Sequence, residues 1–270
     1  DLMDLFFVLE ELRSKNQETT IYLRIGYMPY SRMDRNNEDF TFTLQRLSTM
    51  LRRIPGLDIS VVEPHSDVTA RELEMYKMDM YGETFMTPGL VTSLMMDRGL
   101  NVKNTLLVFP DAGAAKRYPD IINRMPMSPI ARMRTLSIAK IRDFTTGNIK
   151  EIKIANNQDT YDLPKTAIII DDMIDTAGTI TAASKALMEA GAKEVYACCT
   201  HPLLSKPAID RINNSPLIEV VCTNTIQLPI HKKSPKIVQL SVASLFAKGL
   251  LNVMYDRPLS SLFVYEGKEL

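Results

Sequence analysis

Residues 166–191 carry the feature that most limits how this chain can fold. TAIII is an apolar, β-branched run, and DDMID follows it with Asp171, Asp172 and Asp175. Thr176-Ala177-Gly178-Thr179 then leads into TITAASKALMEAG, where Ile180, Ala183, Leu187 and Ala190 recur on one helical face and Gly191 suits a C-cap. The stretch is therefore a strand, a polar loop and a helix in succession. A helix start has unsatisfied N–H groups and the positive end of the helix dipole, so it receives phosphate well. Gly178 allows close backbone approach, and Thr176 and Thr179 add hydroxyl donors. The competing reading is that Thr176 or Thr179 only caps the helix. The acids weigh against it: adjacent carboxylates repel each other and cost stability unless something binds them. A sugar phosphate answers both needs, with hydroxyls on Asp171 and Asp172 and its phosphate on the Thr-Gly turn.

The same alternation runs through the chain. Helices are expected at 2–14, 40–53, 68–80, 89–98, 205–213 and 241–254, and strands at 20–26, 58–62, 104–109, 134–142, 194–200, 217–223 and 236–240. A loop is expected through FTTGN after 142. Such alternation predicts an α/β protein with mainly parallel sheets flanked by helices, whose ligands sit at the carboxyl ends of strands. The unusual polar loops PYSRMDR, EPHSD, PDAGAAKR and DDMIDTAGT all fall there. At 270 residues, two domains of ordinary size are expected: 1–86 with the tail 257–270, and 87–256.

Composition removes several classes. Thirty-two basic residues balance 32 acidic ones, so bulk charge does not suit a nucleic-acid partner. No apolar run reaches the length of a membrane span, no signal peptide is visible, and no GxxxxGK[ST] loop occurs. Cys198, Cys199 and Cys222 lie in apolar runs without zinc spacing, which suits reduced thiols in buried strands of a cytoplasmic protein. The chain opens on Asp1, and Leu2, Leu5, Phe6, Leu9 and Leu12 already have helical spacing, so further residues are expected upstream.

A hydrophobic strand followed by DD, two residues and DTAGT resembles the sugar-phosphate signature of the phosphoribosyltransferase-type fold, shared by enzymes that make and enzymes that consume phosphoribosyl pyrophosphate (PRPP). The other loops favour the makers. FPDAGAAKRY at 109–118, PYSRMDR at 29–35, EPHS at 63–66, IAKIR at 138–142, RINN at 211–214, VVCTNTIQLP at 220–229 and SSLF at 260–263 are similar, in colinear order, to segments of the ribose-phosphate pyrophosphokinases. That resemblance implies two phosphoribosyltransferase-type domains. It also implies transfer of the β,γ-diphosphate of ATP to the anomeric hydroxyl of ribose 5-phosphate, with Mg²⁺, leaving AMP.

Residue by residue, the resemblance gives Lys140 and Arg142 the catalytic role, closing over the transferring group, and assigns Arg32, Asp34 and His65 to ATP. It gives Asp171, Asp172, Asp175, Thr176, Ala177, Gly178 and Thr179 to the sugar phosphate, and Asp111, Ala112 and Gly113 to the diphosphate. His65, Asp111 and Glu63 become the candidate metal residues. Without the resemblance, Lys140 and Arg142 read as a solvated pair and His65 as a structural histidine; His201 is read as structural in any case. The implied partners are ATP and ribose 5-phosphate, in a homo-oligomer (dimer or hexamer).

Four departures from the family stand out. The chain as given begins after the N-terminal segment that in the family contacts adenine across a subunit interface, Glu63-Pro64 replaces Asp-Leu, Ala114 replaces the second Gly of the diphosphate loop, and Met33 replaces Gln. They leave open the same chemistry on a larger acceptor such as ADP-ribose, and a catalytically silent regulatory partner. A PRPP-consuming transferase would need no PYSRMDR or IAKIR segment.

Overall fold

The structure is a computed structural model that describes residues 2–34, 42–73, 86–123, 128–142, 149–155 and 164–257, the backbone alone for 139–142 and 149–155. The chain divides into two compact units, Asp1–Thr84 with Ala243–Phe263, and Phe85–Val242 with Val264–Leu270. The second unit gives up its last helix, Ala243–Met254, to the first, where 87–256 had been expected to keep it. Among the described residues no helix is long and apolar enough to cross a membrane. The SSLF segment and the tail beyond 257 lie outside the described residues, as do 40–41 and 74–80 of two expected helices.

In the first unit, helix α1 (Leu2–Lys15) precedes strand β1 (Ile21–Ile25), helix α2 (Thr43–Arg52), strand β2 (Leu57–Val61) and helix α3 (Asp67–Glu72). β1 and β2 pair in parallel from Ile21 opposite Leu57 to Ile25 opposite Val61. Leu9, Leu44, Leu47, Leu51, Ile59 and Val61 form the core beneath them. Parallel pairing brings the loops after both strands to the same end, so PYSRMDR and EPHS become neighbours although 27 residues lie between them.

The second unit runs α4 (Met86–Arg98), β3 (Thr105–Phe109), α5 (Ala112–Asn123), β4 (Arg134–Arg142), β5 (Ile149–Ala155) and β6 (Thr166–Ile174). It continues through α6 (Gly178–Glu189), β7 (Glu194–Pro202), α7 (Ala208–Asn213), β8 (Glu219–Thr223) and β9 (Ile237–Leu240); α8 (Ala243–Met254) ends the described elements. Its seven strands lie in the order β5-β4-β3-β6-β7-β8-β9, all pairs parallel except β4 with β5. β6 sits at the centre. Ile169 packs toward α6 with Ala183 and Leu187, while Ile168 and Ile170 pack toward α4 and α5 with Val91 and Tyr118.

Two elements depart from the sequence expectations. β5 occupies 149–155, beyond the expected loop, and its KEIKIA carries too much charge to read as a core strand; at the sheet edge it is under no such demand. PDAGAAKR was read as a loop, but the helix begins at Ala112. The reason is the Asp111 carboxylate, whose Oδ1 accepts the Ala114 N–H at 3.0 Å as an N-cap.

The packing separates neighbouring residues of α6 sharply. Leu187 is fully buried and Met188 is 38% exposed. Leu187→Ala is expected to cost about 2–5 kcal/mol of stability by leaving a cavity, and Met188→Ala less than about 1 kcal/mol; urea unfolding of the two variants measures the contrast.

Candidate active site

The carboxyl ends of β3 and β6 gather the acids of the second unit. β6 does not stop at the aspartates, as the apolar run suggested, but continues through Asp171, Asp172, Met173 and Ile174, with Asp171 opposite Cys199 and Met173 opposite His201. Successive strand residues address opposite faces of a sheet. Asp172 follows Ile170 toward α5, where its carboxylate, 4% exposed, meets the Arg117 Nη1 at 2.9 Å. Asp172 thus has a charged partner within this unit. Arg117 lay in the quoted PDAGAAKR loop, but only the helix that starts at Ala112 turns it toward β6.

Asp171 is placed differently. Burial holds its carboxyl well above the usual carboxylate range, the charges of Asp172 and Asp111 and a hydrogen bond with Asp172 push the same way, and Arg117 only partly opposes them. Its own Oδ1 accepts the Asp172 N–H at 3.1 Å. Its carbonyl accepts from the buried Thr87 Oγ1 at 3.3 Å, and Thr87 Oγ1 lies 2.8 Å from Thr200 Oγ1. Thr223 extends this network by donating to the Thr200 carbonyl at 2.7 Å. His201 is buried with Nδ1 3.0 Å from Thr225 Oγ1, the structural place expected for it.

Asp111 and Gly113 sit at the start of α5 rather than in an open loop. A Cβ on Gly113 would stand 3.2 Å from Asp111 Oδ1, so glycine keeps the cap close. Ala114 is buried in the apolar core.

Thr176 and Thr179 do not cap α6. Its N-cap is Ala177, at φ 59° and ψ 6°, and no side chain bonds to the cap position. A left-handed alanine costs on the order of 1 kcal/mol. Strain of this kind persists where the surroundings hold it, and it points to function. Here the surroundings include the Arg211 Nη1, which donates to the Thr176 carbonyl at 3.0 Å.

The other expected residues belong to the first unit. Ser66 Oγ donates to Asp34 Oδ2 at 2.7 Å and ties EPHS to PYSRMDR. Ser66 was quoted but given no role, because only the parallel pairing of β1 and β2 brings it to Asp34. Arg32 is exposed, His65 is half-buried, and Glu63 is fully buried at φ 38°. Lys140 and Arg142 lie on β4 opposite Ile152 and Ile149, with a register shift between Ile141 and Arg142. Their side chains and the FTTGN loop lie outside the described residues. Among the described residues no three His, Cys, Asp or Glu side chains are gathered as a metal cage.

Half-buried Asp171 yields a prediction with a definite sign. Its folded-state affinity for a proton is raised, so it is more often protonated folded than unfolded, and stability falls as pH rises through that range. Asp171→Asn is expected to raise the thermal midpoint at pH 7 in magnesium-free buffer. The gain should vanish as pH drops below the ordinary carboxylate range, where the wild-type carboxyl is neutral in both states; a scan of melting temperature against pH checks this.

Known proteins agree with this geometry. A family model, the phosphoribosyl synthetase-associated domain, matches residues 160–264. The ribose-phosphate pyrophosphokinase of Bacillus subtilis (strain 168) is 34% identical over 271 residues, covering 97% of this chain and 77% of the relative. That of Bacillus cereus is 36% identical over 265 residues, with the same coverage of 97% and 77%. A phosphoribosylpyrophosphate synthetase from Mycobacterium smegmatis shares the fold, with a TM-score of 0.74 at 24% identity over 94% of this chain and 78% of that one. Over nearly its whole length, therefore, the chain belongs to the ribose-phosphate pyrophosphokinase family of diphosphotransferases.

Proposed function

We propose that this protein transfers the β,γ-diphosphate of ATP to the anomeric hydroxyl of ribose 5-phosphate, giving PRPP and AMP. The carrying observation is identity of 34% spread over 97% of the chain with a ribose-phosphate pyrophosphokinase. The strained sugar-phosphate loop beside Asp171 supports the same reading. In it, the N–H groups opening α6 and the hydroxyls of Thr176 and Thr179 bind the 5-phosphate. Asp171, the carboxyl not paired to Arg117, receives sugar hydroxyls. The start of α5 with Asp111 faces the diphosphate, while Arg32, Asp34 and His65 in the first unit serve ATP. Lys140 and Arg142 meet the negative charge on the transferring group, whose bond to the α-phosphate breaks as the sugar oxygen bonds to the β-phosphorus.

The donor set fits Mg²⁺. The charges of Asp172 and Asp111 bear on Asp171 and Arg117 only partly opposes them, an excess that a divalent cation would offset. Asp111 and Asp171 would hold it, and bound there it neutralises phosphate charge. Glu63 and His65 would serve a second ion at the nucleotide. The three free, buried thiols suit a cytoplasmic enzyme.

Exposed Met3, Phe7 and Val8 on α1 support self-association, and sedimentation at micromolar concentration is expected to give a dimer or larger; a monomer removes that partner. The activity test incubates purified protein with ATP, Mg²⁺ and either ribose 5-phosphate or ADP-ribose, then quantifies AMP and the pyrophosphorylated sugar by chromatography. AMP with ribose 5-phosphate is expected. AMP with ADP-ribose alone transfers the proposal to that acceptor, and none with either turns it toward a regulatory partner. Lys140→Ala and Arg142→Ala are each expected to lower kcat by about 10²–10³-fold; undiminished turnover would refute their role.

A further inference from the structure

RINN at 211–214 is part of the family resemblance, yet the reaction as described gives it no task. Its scaffold is well held. Ala208 and Ile212 of α7 are fully buried, the Lys236 ammonium donates to the Ser215 carbonyl at 2.8 Å, and Ser234 Oγ donates to Asn213 Oδ1 at 2.6 Å. From this scaffold the exposed Arg211 reaches back across to the sugar-phosphate loop. Its Nη1 donates to the Thr176 carbonyl at 3.0 Å, and a Cβ built on Gly178 would stand 3.3 Å from the same nitrogen. The guanidinium therefore lies against the first residue of α6.

That is a poor place for a cation by itself. The start of a helix carries positive partial charge, and a second positive charge there is unfavourable unless an anion joins it. The last turn of α7 suits a basic residue, but the side chain leaves it for the opposite dipole end of α6. Among the described residues no carboxylate forms an ion pair with Arg211, and the Thr176 carbonyl is the one acceptor its guanidinium meets. A guanidinium carries five N–H donors in a planar fork that fits phosphate oxygens. The same carbonyl bond also holds the residue before Ala177, whose left-handed backbone directs the loop into α6.

We propose that Arg211 is a binding residue for the acceptor, meeting the second negative charge of a phosphate monoester dianion on the Thr176–Thr179 loop while it pins that loop through the Thr176 carbonyl. The proposal rests on the reading of this loop as the sugar-phosphate site. It gives the acceptor a chemical definition: a terminal monoester, with two charges near neutral pH, is favoured over a group carrying one charge per phosphorus.

Calorimetric titration of the full chain with ribose 5-phosphate and with ribose 5-sulfate, an isosteric monoanion, tests it. The wild type is expected to bind the phosphate more tightly than the sulfate. Arg211→Gln is expected to weaken phosphate binding by about 10–100-fold, the range for a hydrogen bond to a charged group. It should weaken sulfate binding less, so the preference shrinks, and Arg211→Lys should restore part of it. Equal losses for both ligands would show that Arg211 only shapes the loop, and unchanged binding would show that it does neither; each overturns the inference while the sugar-phosphate site stands. A wild type that binds neither ligand overturns the site and this inference together. Melting curves of both variants confirm that the compared proteins are folded.

Discussion

β6 is apolar and enclosed from Ala167 to Ile170, with one core packed on each face, and this enclosure dictates where the central strand of the second unit can turn polar. Polar side chains along that run would carry a desolvation cost without partners. The strand can turn polar only beyond Ile170, at its carboxyl end, and there the alternation of faces divides two adjacent aspartates between different neighbours. Asp172 falls toward α5 and finds Arg117; Asp171 falls where other carboxyls crowd it. A pair of identical residues thus acquires two environments, one paired to a guanidinium and one crowded by carboxyls.

The loop that follows is held in a strained conformation from both sides. Ala177 takes a left-handed conformation that an L-residue adopts at a cost, and the last turn of β6 before it is carried by Ile174, whose carbonyl accepts the Leu204 N–H at 3.0 Å. Arg211 holds the Thr176 carbonyl from outside. Between these two restraints, neither threonine is consumed as a helix cap. In the first unit the corresponding device is the Ser66–Asp34 hydrogen bond, which joins two strand-end loops into one surface.

Much of this was legible in the chain. The apolar runs TIYLRI, NTLLVF, TAIII and EVYACC announced β1, β3, β6 and β7, because enclosed strands must be apolar whatever surrounds them. The helix after DTAGT was legible too, since its apolar spacing lies within one short stretch of chain. β5 was missed because an edge strand tolerates charge, and the start of α5 was missed because Pro110, Gly113 and a run of small residues resemble a turn until the Asp111 cap is seen.

What the sequence by itself determined was the α/β alternation and the family, for these depend on residues close together in the chain. Tertiary structure alone decided the partners: Arg117 for Asp172, Thr87 for the Asp171 carbonyl, Ser66 for Asp34 and Arg211 for Thr176. Each joins residues tens of positions apart. Such a contact exists only after parallel strands have brought their carboxyl ends to one edge and helices have aimed their side chains across it, and no local pattern of residue types encodes that distance.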